Sequence, residues 1–233
     1  SNEVLEIGCG TGNLANYFLE DGIDYTGIDL SKRMINIAKS KSPNALFTIA
    51  DMRDFKLPKT VQSIIITART ISYLLTNNDL NNAFLQFKNQ SINQLILDFR
   101  YNIGGGSFIK NMSQIASMIT GQFTNEIFAK KRWNTKAQTW FEANQPDSLI
   151  TKFTNRIYNS NPVNSLGLTD VYIILNGSSS AVELLINSLE SHINVHVINS
   201  GITNGNNTAS ITLYNSIDYD SIGNNTNHTV AVQ

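Results

Sequence analysis

The chain has 233 residues, 41% hydrophobic and only 15% charged, and its 17 Lys+Arg against 18 Asp+Glu leave a net charge of -1. That length supplies one large domain or two small ones with ample core, and the charge balance excludes the basic footprint of a nucleic-acid or anionic-lipid binder. A single cysteine, Cys9, excludes a disulfide framework and a thiolate zinc cluster, and no apolar run approaches the roughly 20 residues of a bilayer span.

Charged residues usually make up about 25% of a soluble chain. Here 31 asparagines take their place as the polar complement. Without a spanning run a soluble chain is expected, and the sequence as given opens directly in the apolar segment Glu3–Ile7 with no signal peptide, a targeting segment upstream of it lying outside view.

Taken in chain order, the first hundred residues alternate apolar bursts with amphipathic stretches, as a parallel α/β sheet requires. Strands are predicted at Val4–Ile7, Asp24–Ile28, Leu46–Ile49 and Val61–Ile66, with helices at Leu14–Glu20, Arg33–Ser40 and Leu80–Phe87. Leu14/Tyr17/Phe18 and Met34/Ile37/Ala38 recur at three and four residues and are expected to form the buried faces of the first two helices. Ser31 is expected to cap the second helix, and Asn78 or Asp79 the third. A fifth strand is predicted at Gln94–Phe99. After the break at Gly104-Gly105-Gly106 come a helix at Phe108–Ile119 and a mixed aromatic stretch from Phe123 to Tyr158 without clear periodicity. Regularity resumes with a strand at Val171–Leu175, a helix at Ser180–Leu189, a strand at Val195–Ile198 and an edge or hairpin strand at Ser210–Tyr214, and the Asn-rich tail from Ser216 is expected to be a loop.

The first strand runs into Gly8-Cys9-Gly10-Thr11-Gly12 and then a helix, the place where open α/β sheets bind ligands. Glycine there lets a ligand approach the backbone. The second strand ends in Asp29, 17 residues after Gly12, where a carboxylate can accept both hydroxyls of a ribose. The third ends in Ala50-Asp51-Met52, a carboxylate and an apolar side chain suited to an adenine edge and face. Cys9 has no base beside it in sequence and reads as a small loop residue, not a nucleophile.

The spelling Glu6-Ile7-Gly8-Cys9-Gly10-Thr11-Gly12, with Asp29 and Asp51 after it, resembles the class I S-adenosylmethionine-dependent methyltransferases more than the G-x-G-x-x-G dinucleotide pattern. The resemblance covers about residues 1–87 and implies a Rossmann-like parallel sheet. It also implies that Glu6, Gly8, Gly10 and Gly12 surround the methionine part of S-adenosylmethionine, Asp29 the ribose, and Asp51 with Met52 the adenine. Transfer of the methyl group to a small-molecule acceptor would then depend on placement. The helix usual ahead of the first strand is missing from the sequence given, and so are the segments that cover an acceptor.

From about residue 88 the chain resembles a second family, the C-terminal-processing or tail-specific serine peptidases of the S41 type. The matching residues are Leu95-Ile96-Leu97-Asp98-Phe99-Arg100-Tyr101-Asn102-Ile103-Gly104-Gly105, Val171–Leu175, Ser178-Ser179-Ser180-Ala181-Val182-Glu183, Val195–Ile198 and Gly201–Asn206. This implies a ClpP/crotonase-like α/β core with Ser180 as nucleophile, a backbone N–H from Gly104-Gly105 for the oxyanion, and a peptide segment as substrate. A serine at the start of a helix also serves as a simple cap. The family takes its general base from a lysine that falls here on Asn206. An amide accepts no proton near neutral pH, and no lysine follows Lys152. His192 ends the helix that Ser180 begins, about 15 to 20 Å away at 1.5 Å per residue, and His196 points from a strand. An inactive or crippled peptidase core is therefore expected.

Both resemblances are incomplete, and both want a buried strand at Leu95–Phe99. The expected organisation is a methyltransferase-like half-domain at 1–90 and a peptidase-like core at 91–233 with residues 94–99 shared or contested, frustrated and marginally stable at the seam. Residual tail-specific endopeptidase activity and a non-catalytic fusion are the alternatives. The first part implies a cytoplasmic protein and the second a cell-envelope one. Oligomeric state is not set by any of these features.

Overall fold

The computed structural model describes residues 3–68, 70–100, 109–157, 161–177 and 180–200, with the backbone alone at 136, 211–214 and 229–232. The elements are β1 (Glu3–Ile7), α1 (Ala15–Glu20), β2 (Asp24–Asp29), α2 (Lys32–Lys41), β3 (Leu46–Ile49), β4 (Ser63–Ile66), α3 (Asn77–Gln90), β5 (Gln94–Asp98) and α4 (Ile109–Thr120). There follow β6 (Ile127–Lys130), α5 (Thr135–Asn144), β7 (Ile150–Lys152), β8 (Asp170–Leu175), α6 (Ser180–Glu190), β9 (Asn194–Asn199), β10 (Ile211–Tyr214) and β11 (Thr229–Val232).

Seven of these strands form one parallel sheet in the order β3-β2-β1-β4-β5-β8-β9. The chain builds outward from β1 to β3 and then returns to lay β4 on the other side of β1, so the switch point lies between β1 and β4. Strands covered on both faces read as continuous apolar runs. Accordingly Ser63-Ile64-Ile65-Ile66 is buried at every position. This is a Rossmann-like, mixed α/β architecture.

The two resemblances do not build two sheets. Leu97 of β5 pairs with Ile66 of β4 on one side and Ile173 of β8 on the other, so the strand that both families require is held in common within a single sheet. One buried cluster runs from Leu5, Ile64, Phe84 and Phe87 through Leu95 and Leu97 to Ile173, Leu185 and Leu189. A parallel strand offers two hydrogen-bonding edges, and β5 uses one for each half.

Several local expectations are corrected. In α2 the buried side chains are Ile35 and Ala38, while Met34 and Ile37 are 41% and 39% exposed. Ala38 is small enough to let α2 close onto Gly12, and that contact fixes which stripe faces inward. In α1 Ala15 is buried and Tyr17 lies outside at 69% exposure. Ser31 caps α2 as expected, its Oγ accepting from Met34 N at 3.3 Å. The cap of α3 is Thr76, accepting from Asp79 N at 3.0 Å, not Asn78 or Asp79. The aromatic stretch holds the antiparallel pair β6/β7 and α5, whose cap Asn134 accepts from Ala137 N and whose Phe141 stacks on Trp133 at 4.6 Å. The tail is not all loop: β11 pairs antiparallel with β10.

Candidate functional site

The carboxyl ends of β1, β2, β3, β4 and β5 converge on one edge of the sheet. Gly8, Gly10 and Gly12 turn the chain there with φ of +76°, +54° and +71°. The three are not equivalent. A Cβ on Gly8 would collide with the side chain of Thr70, and one on Gly12 would meet Phe47 Cζ at 2.7 Å, so both glycines admit protein packing. A Cβ on Gly10 meets nothing within 4 Å, so Gly10 is the loop residue whose face is open.

Asp29 is positioned by that loop. Its Oδ2 accepts from Gly10 N at 3.0 Å and its Oδ1 from Ser31 N at 2.8 Å, which fixes the carboxylate plane and leaves further lone pairs on both oxygens. Leu30, next in sequence, is 69% exposed beside it. Asp51 accepts from Arg53 N at 2.8 Å and is bridged by the Arg53 guanidinium, which also reaches Asp79 at 2.7 Å. The hydrogen bonds from Arg53 hold the Asp51 carboxyl below its usual range, so it stays ionised. Met52 is 7% exposed and belongs to the core.

Glu6 lies beneath the loop, 3% exposed. Its carboxyl accepts a short hydrogen bond from Tyr25 Oη and one of 2.9 Å from Thr67 Oγ1. Burial raises its pKa, and the two hydroxyl donors offset that only in part. Cys9 is buried too, its thiol pushed up to about 12 by burial and by the charges of Glu6 and Asp29, so it is inert as a nucleophile.

Three features of this edge lie in segments that carry the two resemblances, Thr67–Leu74 for the methyltransferases and Leu95–Gly105 for the S41 peptidases, but had no site role in the sequence argument. Thr67 ties Glu6 to the end of β4, and Ala68 follows it with φ +53°, an uncommon backbone for a residue with a Cβ. Asp98, at the end of β5, accepts from Ala68 N at 3.5 Å and is clasped by Arg100 at 2.7 and 2.9 Å. Burial pushes Asp98 up, but the Arg100 hydrogen bonds and charge outweigh it and hold the carboxyl low. Tyr73 and Leu75 stand 74% and 88% exposed just beyond. Their signal in sequence was membership of those segments and a position at or after the end of a strand.

Ser180 begins α6 and is exposed at the same edge of the sheet, in the β8 column. Three strand spacings separate that column from β1, about 14 Å at 4.8 Å each. Neither histidine approaches it. His192, past the far end of α6, bonds Ser188 O and Glu126 and packs on Phe123 and Phe153. His196 bonds Asp170 and stacks on Tyr172 near the amino end of β8. Gly104, Gly105 and Asn206, with Ser178 and Ser179, lie outside the described residues. Among the described residues no group of His, Cys, Asp and Glu gathers as a metal site, and no helix is long and apolar enough to cross a membrane.

Comparison with known proteins gives two overlapping family matches. A methyltransferase domain matches residues 4–90, and peptidase family S41 matches residues 54–220. The dTDP-3-amino-3,4,6-trideoxy-alpha-D-glucopyranose N,N-dimethyltransferase of Streptomyces venezuelae is 30% identical over 87 residues, 37% of this chain and 37% of that protein. The putative methyltransferase YqeM of Bacillus subtilis (strain 168) is 34% identical over 85 residues, 35% of this chain and 34% of that one. Among solved structures, Streptomyces venezuelae DesVI is 30% identical, covers 39% of this chain and 38% of its own, and has a TM-score of 0.36. The chain thus spans under two fifths of the length of these curated relatives. The S41 match takes in well over half of the residues, from β4 to beyond β10; the chain belongs to peptidase family S41, with a methyltransferase-like domain match overlapping it from the amino-terminal side.

Proposed function

We propose that this chain binds S-adenosylmethionine at the carboxyl edge of β1 to β3 and that its peptidase part is catalytically silent. The observation that carries the first half is the open face of Gly10, hydrogen-bonded to Asp29. A cradle that a Cβ would fill lies beside a carboxylate already held at a fixed angle, and the residues fit the cofactor. Asp29 would take the ribose hydroxyls, Leu30 and Asp51 would flank the adenine, and Gly10 would face the methionine part. Glu6 and Met52 act from beneath, as supports of the loop and of β3. When bound, the cofactor would supply an electrophilic methyl group. The chain's own part is to orient it and to hold an acceptor on the side of Thr67, Ala68 and Asp98. The methyltransferase-like match supports a small-molecule acceptor.

Calorimetry with S-adenosylmethionine and with S-adenosylhomocysteine tests this half. Binding that is lost in Asp29→Ala is expected, and no heat with either ligand at millimolar concentration overturns it. A ligand at 100 times its Kd adds about 2.7 kcal/mol to stability, so thermal unfolding serves as a second readout.

For the peptidase part, the resemblance to the S41 family puts Asn206 at the position of the family's lysine, and the two described histidines are engaged away from Ser180. With an amide in place of the family's lysine, the hydroxyl lacks the base that the family uses to take its proton. A fluorophosphonate probe should leave Ser180 unlabelled in the natural sequence, and labelling there would overturn the silent reading. Labelling or peptide cleavage gained by Asn206→Lys would locate the defect. On this view the chain is a methyltransferase-like segment merged with a peptidase remnant.

A further inference from the structure

The two faces of the seven-stranded sheet are covered unequally. Helices α1 and α2 lie over one face of β1 to β3, where Tyr25 and Phe47 meet Ile35 and Ala38. Helices α3, α4 and α6 lie over the other face, where Leu95, Leu97, Val171 and Ile173 join the main core. Right-handed connections require this, because the strand order grows in opposite directions from β1. Register carries the first face across the sheet, from Phe47 through Gly27, Glu6 and Ile65 to Ile96, Tyr172 and His196. From β5 outward that face joins none of the buried clusters among the described residues. Accordingly β8 alternates half-buried and buried residues, and Ile198 of β9 is 55% exposed. Parallel sheets are covered on both faces, so Ile96, Tyr172, Ile174 and Ile198 want a layer above them.

The carboxyl-terminal ribbon has the converse need. In the antiparallel pair β10/β11, Ile211 is opposite Val232 and Leu213 is opposite Val230. Opposed residues share a face and every second residue returns to it, so these four apolar residues fall on one face of the ribbon. Two strands of four residues, closed by the 14-residue connection 215–228, do not sustain themselves in water without an apolar surface to rest on. The ribbon is also within reach. The 11 residues between Asn199 and Ile211 span at most about 36–40 Å, whereas Ile174 and Ile96 lie one and two strand spacings from β9, about 5 and 10 Å.

We propose that the β10/β11 ribbon lies with its apolar face on the bare face of β5, β8 and β9 and forms the second layer of the sheet there. Neither strand of the ribbon carries a charge, and the charged residues of the bare face are paired, His196 with Asp170 and Asp98 with Arg100. Docking therefore leaves no lone charge buried. Neither cofactor binding nor the state of Ser180 enters this assignment.

Disulfide formation in the full chain tests it. Cys9, the one native cysteine, is buried with its thiol pushed up to about 12, and stays out of mild oxidation. Ile198→Cys is combined in turn with Leu213→Cys and Val230→Cys, and with Thr212→Cys and Ala231→Cys on the other face of the ribbon. The better of the first two pairs should form a bond within one molecule roughly tenfold faster, or more, than either of the others, since bonding needs Cβ atoms about 4 Å apart. As a second readout, Leu213→Asp/Val230→Asp should lower the urea midpoint of unfolding, whereas Thr212→Asp/Ala231→Asp should leave it nearly unchanged. Equal rates for the two faces, no bond in any pair, or equal midpoints for the two double variants overturns the proposal. So do bonds that join two molecules and increase with protein concentration, which would give the bare face to a second copy of the chain.

Discussion

Glu6 and Gly10 divide the proposed cofactor edge into residues that support the loop and residues that would face the ligand. Glu6 holds its proton more tightly in the folded chain than in the unfolded one, because its burial outweighs the hydroxyl donors Tyr25 and Thr67. Stability from this group is therefore fully present below the unfolded value near 4.5 and is lost as pH rises through the raised folded value. Glu6→Gln imitates the protonated form at every pH. Its melting temperature should exceed that of the natural sequence at pH 8 and converge with it at pH 4, and the opposite ordering would show an ionised, well-paired Glu6. Gly10 makes the complementary prediction. Since a Cβ there touches nothing, Gly10→Ala should cost only the left-handed backbone penalty of about 1–2 kcal/mol and still fold. The added methyl group stands on the open face, so S-adenosylmethionine affinity should fall by roughly tenfold or more in calorimetry. The loop and Asp29 were legible in sequence because strand ends announce themselves by spacing. That Gly8 is filled by Thr70, and that Glu6 is bonded by Tyr25, was not legible, because partners 19 to 62 residues away are set by strand order alone.

At the scale of elements, the expected strands of the main sheet recur in the structure within a few residues at each end, since parallel strands buried on both faces leave an unbroken apolar run. The helix faces were harder to read. A helix above a sheet edge buries only a narrow stripe, so Ile35 and Ala38 go inward while Met34 and Ile37 satisfy the same 3.6-residue spacing outside. The α3 cap was misassigned for a related reason: Thr76, Asn77, Asn78 and Asp79 all favour caps, and only the backbone decides among them. Thr76→Ala should lower stability by about 1 kcal/mol in denaturant unfolding, whereas Asn78→Ala should leave it nearly unchanged. A stronger test concerns the join between α3 and the loop before β8. Asn81, 7% exposed, donates to Pro162 O at 3.0 Å, accepts from Asn164 N at 2.8 Å, and its backbone carbonyl accepts from the Asn164 side chain at 2.9 Å. Asn81→Ala removes two side-chain hydrogen bonds to that loop and, at roughly 0.5–1.5 kcal/mol each, should cost about 1–3 kcal/mol. Asn164→Ala removes only one side-chain bond and should cost less.

For the whole molecule, the question is whether a chain matching parts of two families unfolds as one body. The sheet argues that it does. β5 supplies both of its edges, one to β4 and one to β8, and its Leu95 and Leu97 sit in a core drawn from both halves. The seam expected to be frustrated is therefore the strand on which the two halves depend together. Leu97→Ala, at a site 1% exposed, should lower the global unfolding free energy by about 2–5 kcal/mol. The probe matters. Both tryptophans, Trp133 and Trp140, lie in a small cluster with Ala137 and Phe141 apart from the main core, so their fluorescence reports that satellite first. Amide hydrogen exchange in β1 and β8 reads the sheet itself. If the sheet is one cooperative unit, Leu97→Ala should accelerate exchange of the Leu5 and Ile173 amides by the same factor, although these residues come from opposite halves. A large acceleration at Ile173 with none at Leu5 would mean that the methyltransferase-like strands hold together without their neighbour, and that the shared strand joins two units instead of making one.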